Sequence, residues 1–370
     1  MDAVVSAAAE FPVTAVTASA YRVPTDAPES DGALAWDATT LVVAEVSAGG
    51  ATGLGYGYAD AAAARLVAET LAPVLQGGDA LAIPACHQAM RRALRNDGHG
   101  GLAAMAVSAL DAALWDLKGR LLGLPLASLL GASRAAVPAY GSGGFTSYDD
   151  RALARQLGAW AEEGVERVKM KIGRDPASDP RRLEMAREAI GPEVALMVDA
   201  NGALDRKEAL ALALRLPAFG VVWFEEPVSS EDLEGLRLLR DRAPAPVEIA
   251  AGEYGFTPGY FRRMAEAGAV DVLQADATRC GGITGFLAVD ALCQAFELPL
   301  SAHCAPALRC HPACAAVRLR DLEAFHDHLR IEALLFDGAP RPRKGRLAPD
   351  LSRPGLGLEL KRADAARYAL

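Results

Sequence analysis

The sequence predicts an α/β fold in which a (β/α) barrel follows a smaller α+β unit. Short apolar segments bounded by Gly and Pro recur along the second part of the chain, and such segments predict buried strands. Helical sequence fills each interval, so every repeat contains one strand and one crossover helix. A charged or polar residue ends seven successive predicted strands. In a (β/α) barrel these strand ends meet at one face, where the active site forms.

The first domain, predicted to span residues 1–134, is expected to contain three strands and three helices. The strands are predicted at residues 13–23, 39–46 and 53–58, and the helices at residues 61–75, 83–94 and 102–121. Residues 24–36 are rich in Asp, Glu, Pro and Gly, which predicts a polar loop between the first two strands. The last helix has one apolar face, and Asp111 and Asp116 are expected to lie off that face.

The barrel is predicted to span residues 135–330 and to open with a strand at residues 137–141. Crossover helices are predicted at residues 149–163, 180–189, 206–215, 232–242, 258–267, 284–296 and 306–318. After Glu323 the chain becomes irregular and rich in proline. Residues 331–370 are therefore expected to leave the barrel and return to the first domain.

Polar and charged residues end seven successive predicted strands at a regular interval. They are Lys171, with Lys169 two positions earlier, Asp199, Glu225, Glu253, Asp276, His303 and Glu323. The intervals between successive positions are 28, 26, 28, 23, 27 and 20 residues, which is about the length of one strand and one helix. Scattered surface charges would not keep this period, so the seven positions are expected to converge on one cavity.

Three of these residues, Asp199, Glu225 and Glu253, are carboxylates from adjacent strands. Crowding them in one cavity is unfavourable unless a cation lies among them. Oxygen ligands without His or Cys select a hard ion, most simply Mg²⁺. Each carboxylate alone would be interpreted as a solvated helix cap. The three together at this spacing favour a magnesium site.

Lys169 and Lys171 face the same side of their strand, because the side-chain period of a strand is two. Partial burial is expected to lower the pKa of Lys171 so that it can act as a base. Lys169 is expected to stabilise substrate charge and to help lower the pKa of Lys171. A pair of surface lysines is the alternative, weakened by the apolar residues Val168, Met170 and Ile172 on the other face.

Asp276 and His303 end neighbouring predicted strands. An aspartate beside a histidine fixes its tautomer and favours its protonated form. This dyad can therefore deliver or remove a proton on the side of the cavity opposite Lys171. A lone His303 would be interpreted as a core histidine, but Asp276 favours the catalytic role. Glu323 either hydrogen-bonds a developing oxyanion when protonated or caps a helix. Substrate contacts are predicted at Asn201, Arg279 and Tyr140.

The composition is that of a globular protein and argues against several functions. The 370 residues are 51% hydrophobic and 23% charged, with a net charge of −9. A nucleic-acid partner would require a clustered basic surface. No apolar run reaches the length of a membrane helix, and the first residues lack the basic stretch of a signal peptide. The six cysteines form no Cys-x-x-Cys pair, so reduced thiols and a cytoplasmic location are expected.

The chain resembles the enolase superfamily, and within it the mandelate racemase subgroup. The matching motifs are Lys169-x-Lys171, Asp199-x-Asn201, Glu225-Glu226-Pro227, Gly252-Glu253, Asp276 followed by Gly281-Gly282, and Ser301-Ala302-His303. Together with a helix at residues 106–119 that resembles the capping domain of the family, they cover nearly the whole chain. The resemblance implies a modified TIM barrel, (β/α)7β, with an N-terminal α+β capping domain. Two mobile loops of that domain, here residues 21–36 and 50–60, would then recognise the substrate.

The resemblance also implies a set of site residues. It assigns Asp199, Glu225 and Glu253 as Mg²⁺ ligands, Lys171 and the His303–Asp276 dyad as the acid–base groups, and Glu323 as an oxyanion-side carboxylate. The reaction implied is removal of the proton α to the carboxylate of a small substrate, with Lys169 assisting.

Three functions are compatible with these residues. The first is dehydration of an acid sugar to a 2-keto-3-deoxy acid, which the resemblance favours for a Lys/His–Asp pair. The second is racemisation or epimerisation of a 2-hydroxy acid by 1,1-proton transfer. The third is a metal-stabilised binding protein without catalysis, which would be expected to lack a base or a ligand. Relatives are often oligomers, so a homo-oligomer is expected.

Overall fold

The computed structural model describes residues 9–370 and begins with a three-stranded antiparallel sheet in the order β1-β2-β3. The strands are β1 (Val13–Ser30), β2 (Ala35–Ala48) and β3 (Ala51–Tyr58), and the helices that follow are α1 (Ala62–Leu66), α2 (Ala72–Leu75), α3 (Ile83–Ala93), α4 (Leu102–Leu122) and α5 (Leu126–Leu129). A π-helical turn, Val67–Leu71, joins α1 to α2. The three predicted strands and three predicted helical regions are therefore present.

The β1–β2 hairpin is longer than predicted, because residues 24–36 do not form a loop. β1 continues to Ser30 and β2 begins at Ala35, with a shift in register between Pro24 and Glu29. Antiparallel pairing satisfies backbone groups that would otherwise depend on solvent, and the shift begins next to Pro24, which has no N–H to donate. The prediction of a polar loop here is wrong.

Helix α4 is buried on several sides, so the prediction that Asp111 and Asp116 lie away from the core is also wrong. One side packs against β3 so closely that a Cβ atom at Gly55 would lie 2.1 Å from the carbonyl oxygen of Ala109. On another side Asp111 accepts hydrogen bonds from the backbone N–H and the hydroxyl of Thr284, at 2.9 and 2.6 Å. These bonds join the capping domain to the barrel.

Asp116 joins three parts of the chain, and its loss is expected to cost stability. Its carboxylate accepts from the backbone N–H of Leu54 at 2.7 Å, that of Leu356 at 2.6 Å and the guanidinium of Arg120 at 2.7 Å. Asp116→Ala leaves the buried N–H groups of Leu54 and Leu356 unpaired and removes one acceptor of Arg120, so we expect the free energy of unfolding to fall by about 3–5 kcal/mol. Denaturant titration measures it. Asp37→Ala, which removes an exposed carboxylate, is expected to cost less than about 1 kcal/mol. An equal loss of unfolding free energy in both variants would contradict the stabilising role given to Asp116.

The barrel consists of eight parallel strands connected by seven crossover helices. The strands are β4 (Val137–Gly143), β5 (Arg167–Lys171), β6 (Ala195–Asp199), β7 (Val221–Glu225), β8 (Glu248–Ala251), β9 (Val272–Ala275), β10 (Leu300–Ala302) and β11 (Leu319–Phe325). The helices are α6 (Asp150–Glu162), α7 (Asp179–Ile190), α8 (Arg206–Ala213), α9 (Leu233–Arg242), α10 (Pro258–Glu266), α11 (Gly282–Ala295) and α12 (Pro306–Ala315). Because β11 pairs with β4 in parallel, the sheet is closed, which confirms the predicted (β/α)7β barrel with its α+β cap.

The chain after the last barrel strand is more regular than predicted. It contains α13 (His326–Leu335), β12 (Phe336–Asp337), β13 (Arg346–Leu347), β14 (Glu359–Leu360) and α14 (Arg362–Ala365). β13 pairs antiparallel with β4, and the N–H of Leu370 donates to the carbonyl of Ala20 at 3.0 Å. The end of the chain thus contacts the capping domain, while the proposed domain boundaries stay predictions.

Large side chains fill the barrel below its carboxyl end. Tyr140, Met197 and Trp223 belong to one fully buried cluster. Because side chains alternate along a strand, Met197 and Trp223 face inward two residues before Asp199 and Glu225. This packed floor places the polar strand ends at the mouth of the barrel.

Among the helices of residues 9–370, none is both long enough and apolar enough to cross a bilayer. The cytoplasmic location and the homo-oligomer stay predictions.

Candidate active site

The carboxyl end of the barrel brings the predicted charged residues together. Lys169 and Lys171 lie on β5, Asp199 ends β6, Glu225 ends β7, Glu253 follows β8, Asp276 follows β9, His303 follows β10 and Glu323 lies on β11. Each of these residues is at most 6% exposed. Such a concentration of buried charge is stable only where the groups pair with one another or with a ligand.

The carboxylates Asp199, Glu225 and Glu253 form a cluster in which one oxygen from each lies within 4.8 Å of the others. The two lysines contact this cluster. Lys169 Nζ lies 2.5 Å from Glu225 Oε1, and Lys171 Nζ lies 2.5 Å from Asp199 Oδ2. The indole of Trp223 donates to the second oxygen of Glu225 at 2.9 Å, which orients that carboxylate.

The pKa of Lys171 is raised, which corrects the prediction of a lowered value. Burial favours the neutral amine, but the negative charge of Asp199 outweighs it. Burial and Asp199 also raise the pKa of Glu225 to about 8. The lowered value was predicted from loss of solvent and from the charge of Lys169, and the charges of Asp199 and the neighbouring carboxylates outweigh both. A divalent cation among the carboxylates would withdraw their charge from the lysine and lower its pKa.

The predicted Asp276–His303 dyad is present. His303 Nδ1 lies 2.8 Å from Asp276 Oδ2, and the other oxygen of Asp276 accepts from the backbone N–H and hydroxyl of Thr278, at 2.7 and 2.8 Å. The buried guanidinium of Arg309 lies 3.5 Å from the same oxygen. Although burial would raise the pKa of Asp276, Arg309 and His303 hold it below its usual value. The ionised aspartate therefore directs Nε2 of His303 into the cavity.

On its other side, His303 faces carboxylates. Its Nε2 atom lies 3.0 Å from Glu253 Oε2 and 3.4 Å from Glu323 Oε2. Burial would lower the pKa of His303, but Cys304 and these carboxylates hold it well above 6.5, so the imidazole is protonated. Burial likewise opposes ionisation of Glu323, but Lys169 and His303 keep its pKa well below the usual value. These contacts favour the ionised form of Glu323, and its role at a developing oxyanion stays a prediction.

A cavity of about 420 Å³ lies above these groups. Lys171, Glu253, His303 and Glu323 line the barrel side of this cavity, and the capping domain supplies the opposite wall. The capping-domain residues are Asp31, Trp36, Ala38, Thr39, Thr40, Tyr58, Ala59 and Asp60. Residues from both segments expected to recognise the substrate, 21–36 and 50–60, therefore border the cavity.

Two of the three predicted substrate contacts line this cavity, and the third does not. Asn201 has its side-chain oxygen buried without a hydrogen-bond partner, and Arg279 Nη1 lies 3.5 Å from Glu253 Oε1. Tyr140 is fully buried below Lys169, whose Nζ lies 5.5 Å from its ring centroid. The sequence does not show the direction of this side chain, and inward alternation in the middle of β4 places it in the barrel floor.

Several residues that line the cavity were not predicted from the sequence. Cys304 follows His303 directly and is 4% exposed, and Tyr254 follows Glu253 and stacks on Arg279, with 5.0 Å between the Tyr254 ring centroid and the guanidinium carbon. His328 stacks face to face on Tyr58 at 3.4 Å. Adjacency to a predicted site residue was a usable signal for Cys304 and Tyr254. No sequence signal paired His328 with Tyr58, because they are 270 residues apart.

The carboxylate cluster suits a hard divalent cation. All its donors are oxygens, and they come from the rigid ends of three adjacent strands. Burial and the neighbouring Asp199 oppose a negative charge on Glu225, as its raised pKa indicates. A cation among them would remove this penalty. Lysine, histidine and carboxylate groups around one metal-binding cluster can supply acid–base chemistry.

The fold and the site define a capped (β/α)7β-barrel enzyme with a carboxylate-rich active site. The chain belongs to the mandelate racemase and muconate lactonizing enzyme family of the enolase superfamily. The family's N-terminal domain model matches residues 15–131, and the model described as enolase C-terminal domain-like matches residues 152–365. The resemblance found in the motifs is therefore confirmed.

Characterised relatives act on sugar acids. The chain is 34% identical to the L-talarate/galactarate dehydratase of Salmonella typhimurium over 326 residues, 86% of this chain and 80% of that protein. It is 33% identical to the 3,6-anhydro-alpha-L-galactonate cycloisomerase of Streptomyces coelicolor, covering 95% of this chain and 97% of the relative.

Solved structures share the fold over nearly the whole chain. A mandelate racemase/muconate lactonizing enzyme-like protein from Rubrobacter xylanophilus is 57% identical, with a TM-score of 0.95 over 97% of this chain and 100% of that one. A racemase from Streptomyces coelicolor A3(2), solved with bound magnesium, is 32% identical, with a TM-score of 0.91 over 97% and 100% of the two chains. The Salmonella dehydratase, solved with Mg and L-lyxarohydroxamate, is 30% identical, with a TM-score of 0.89 over 100% and 96%.

Proposed function

We propose that this enzyme removes the α-proton of a sugar acid and dehydrates it to a 2-keto-3-deoxy acid. One observation carries the proposal: Lys171 and His303 line the same cavity from the ends of β5 and β10, and Glu253 of the carboxylate cluster lines it as well. Going round the barrel, β5 and β10 are separated by β4 and β11 on one side and four strands on the other. A substrate between them would meet one proton-transfer group on each side.

The cofactor is Mg²⁺, which we assign to Asp199, Glu225 and Glu253. When bound, it stabilises the negative charge that develops on the substrate carboxylate as the α-proton leaves. The magnesium held by the racemase and dehydratase structures supports this assignment.

The residues divide into a base and an acid. Lys171 takes the α-proton, and Lys169, which contacts Glu225 and Glu323, adds positive charge beside the carboxylate end of the substrate. His303 is held protonated by its neighbours and donates that proton to the β-hydroxyl, which leaves as water. The resulting enol gains a proton at carbon 3 and becomes the 2-keto-3-deoxy acid.

The wall of the cavity that the capping domain supplies favours a polyhydroxylated substrate. It presents hydroxyl and carboxylate groups from Asp31, Thr39, Thr40 and Asp60, which can hydrogen-bond several hydroxyl groups. The dehydratase names of relatives support the same class. Racemisation of a 2-hydroxy acid is the second candidate, because two opposed acid–base groups also permit 1,1-proton transfer and one similar structure is named a racemase.

Proton NMR in D₂O with Mg²⁺ tests the proposal on a panel of mono- and diacid sugars and simple 2-hydroxy acids. We expect the α-proton signal of one sugar acid to disappear while signals of a 2-keto-3-deoxy product grow. Deuterium incorporation with inversion and no loss of water would favour the racemase. No exchange in any acid would contradict both.

Arg279 is expected to bind the substrate carboxylate or a distal acidic group. Arg279→Met keeps the length of the side chain and removes its charge, so kcat/KM is expected to fall about 10- to 200-fold, mainly through KM, because a charged hydrogen bond contributes about 1.5–3 kcal/mol. Steady-state kinetics measures the change. Arg181→Met removes an exposed guanidinium that contacts Asp150, and it is expected to leave KM unchanged. An unchanged KM in Arg279→Met would exclude this role.

A further inference from the structure

A second set of metal-binding atoms lies in the cavity beside the carboxylate cluster. It consists of His303 Nε2, Cys304 Sγ and Glu323 Oε2. His303 Nε2 and Cys304 Sγ are 3.3 Å apart, Cys304 Sγ and Glu323 Oε2 are 3.3 Å apart, and His303 Nε2 and Glu323 Oε2 are 3.4 Å apart. The three atoms form a nearly equilateral triangle.

The size of this triangle matches one face of a tetrahedral zinc site. Bond lengths of about 2.0–2.3 Å place two ligand atoms of such a site roughly 3.3–3.6 Å apart. One nitrogen, one sulfur and one oxygen are also typical zinc donors, whereas sulfur is a poor ligand for Mg²⁺. The all-oxygen cluster of Asp199, Glu225 and Glu253 shares no residue with this second set.

Neighbouring groups hold all three side chains in position. Asp276 binds the Nδ1 atom of His303, which leaves Nε2 directed to the cavity, as in many zinc sites. The backbone N–H of Cys304 donates to Glu323 Oε2 at 3.1 Å. Cys304 and Ala305 have φ angles of 55° and 44°, a strained conformation for residues other than glycine that the surrounding structure must maintain. This backbone directs the thiol towards the histidine.

The site is accessible to an ion from solution. His303, Cys304 and Glu323 all line the cavity of about 420 Å³. A fourth ligand, water or a substrate oxygen, can approach from the cavity, which leaves the open position typical of an exchangeable site.

We propose that His303, Cys304 and Glu323 bind Zn²⁺ or a similar thiophilic divalent cation, at a site distinct from that of Mg²⁺. On binding, the thiol and imidazole protons pass to solvent, a sulfur–metal bond forms, and no oxidation occurs. Because Nε2 of His303 would then be bound to metal, the ion blocks proton donation and inhibits the enzyme. The inhibition rests on the function proposed above, whereas the binding does not.

Cobalt provides a spectroscopic test of binding. The full-length protein is titrated with Co²⁺ under saturating Mg²⁺, which occupies the all-oxygen cluster. We expect a near-ultraviolet thiolate-to-cobalt charge-transfer band that Zn²⁺ abolishes. The band is expected to be absent in Cys304→Ser and present in Cys86→Ser, a matched control because Cys86 is 6% exposed and Cys304 is 4% exposed. A wild-type protein without the band, or a Cys304→Ser variant that retains it, overturns the proposal.

Inhibition of turnover by Zn²⁺ provides a second test of the proposal. Turnover at saturating Mg²⁺ is measured against Zn²⁺ concentration, and each variant is normalised to its own uninhibited rate. Cys304→Ser is expected to raise the half-inhibiting concentration at least about tenfold, because even a residue that only supports a ligand typically changes metal affinity about 10- to 100-fold. Equal inhibition of both proteins, which would indicate Zn²⁺ replacing Mg²⁺, overturns the inhibitory role. If no acid is turned over, the proposed function is wrong, but the cobalt titration still shows whether the second metal site binds an ion.

Discussion

Replacing His303 by asparagine is expected to reduce dehydration of the sugar acid by about 10²- to 10⁴-fold. Asparagine can still hydrogen-bond Asp276, but it cannot donate the proton that the leaving hydroxyl requires. Lys171 remains in the variant, so exchange of the α-proton with D₂O is expected to continue. Product formation and deuterium incorporation, followed in the same NMR sample, separate the two steps.

The complementary variant is Lys171→Met, in which both exchange and dehydration are expected to be lost because the base is removed. His326→Asn makes the same chemical change as His303→Asn at an imidazole that pairs with Asp26 and does not line the cavity, and it is expected to retain activity. If His303→Asn abolishes exchange while Lys171→Met retains it, His303 is the base and the roles proposed here are reversed.

Replacing Glu225 by glutamine is expected to weaken Mg²⁺ binding by more than about 100-fold and to abolish turnover. The substitution keeps the shape of the side chain and an acceptor for the Trp223 indole, but it removes one negative charge from the cluster. Substitutions that only support a metal ligand typically cost about 10- to 100-fold, so loss of a ligand charge is expected to exceed that range. Isothermal titration calorimetry measures the affinity.

Glu226→Gln is the matched control, because Glu226 is the next residue, is 1% exposed and lies outside the three-carboxylate cluster. Burial and neighbouring carboxylates keep its pKa well above the usual value, and glutamine keeps the size and shape of the side chain. At Mg²⁺ concentrations about 100 times Kd, wild type and Glu226→Gln are expected to gain about 2.7 kcal/mol in unfolding free energy, and Glu225→Gln much less. Similar magnesium affinities in both variants would exclude Glu225 as a ligand.

The periodic strand ends made the barrel and its site predictable. A strand, a crossover helix and a polar strand end repeat with nearly constant length, and a closed parallel sheet can bring such ends together at only one face. For this reason Lys171, Asp199, Glu225 and His303 were all located from spacing, and the structure places each at the mouth of the barrel.

The errors arose where a residue's environment depends on distant parts of the chain. Asp116 is polar on an amphipathic helix, which suggested exposure, but its partners Leu54 and Leu356 lie far from it in sequence. Lys171 was expected to have a lowered pKa from burial and the charge of Lys169, whereas the opposing effect of Asp199 depends on a distance that only packing sets. Tyr140 precedes the mouth of the barrel by a few residues, and alternation places it in the floor.

The sequence alone determined the fold class, the family and the identities of the charged residues at the strand ends, because these follow from local periodicity and short motifs. How those residues meet depends on packing: the pairing of Lys169 with Glu225 and Glu323, the raised pKa of His303, and the triangle that includes Cys304. The physical reason is that electrostatic and coordination energies vary with distances of a few ångströms. Residues far apart in the chain reach those distances only through packing.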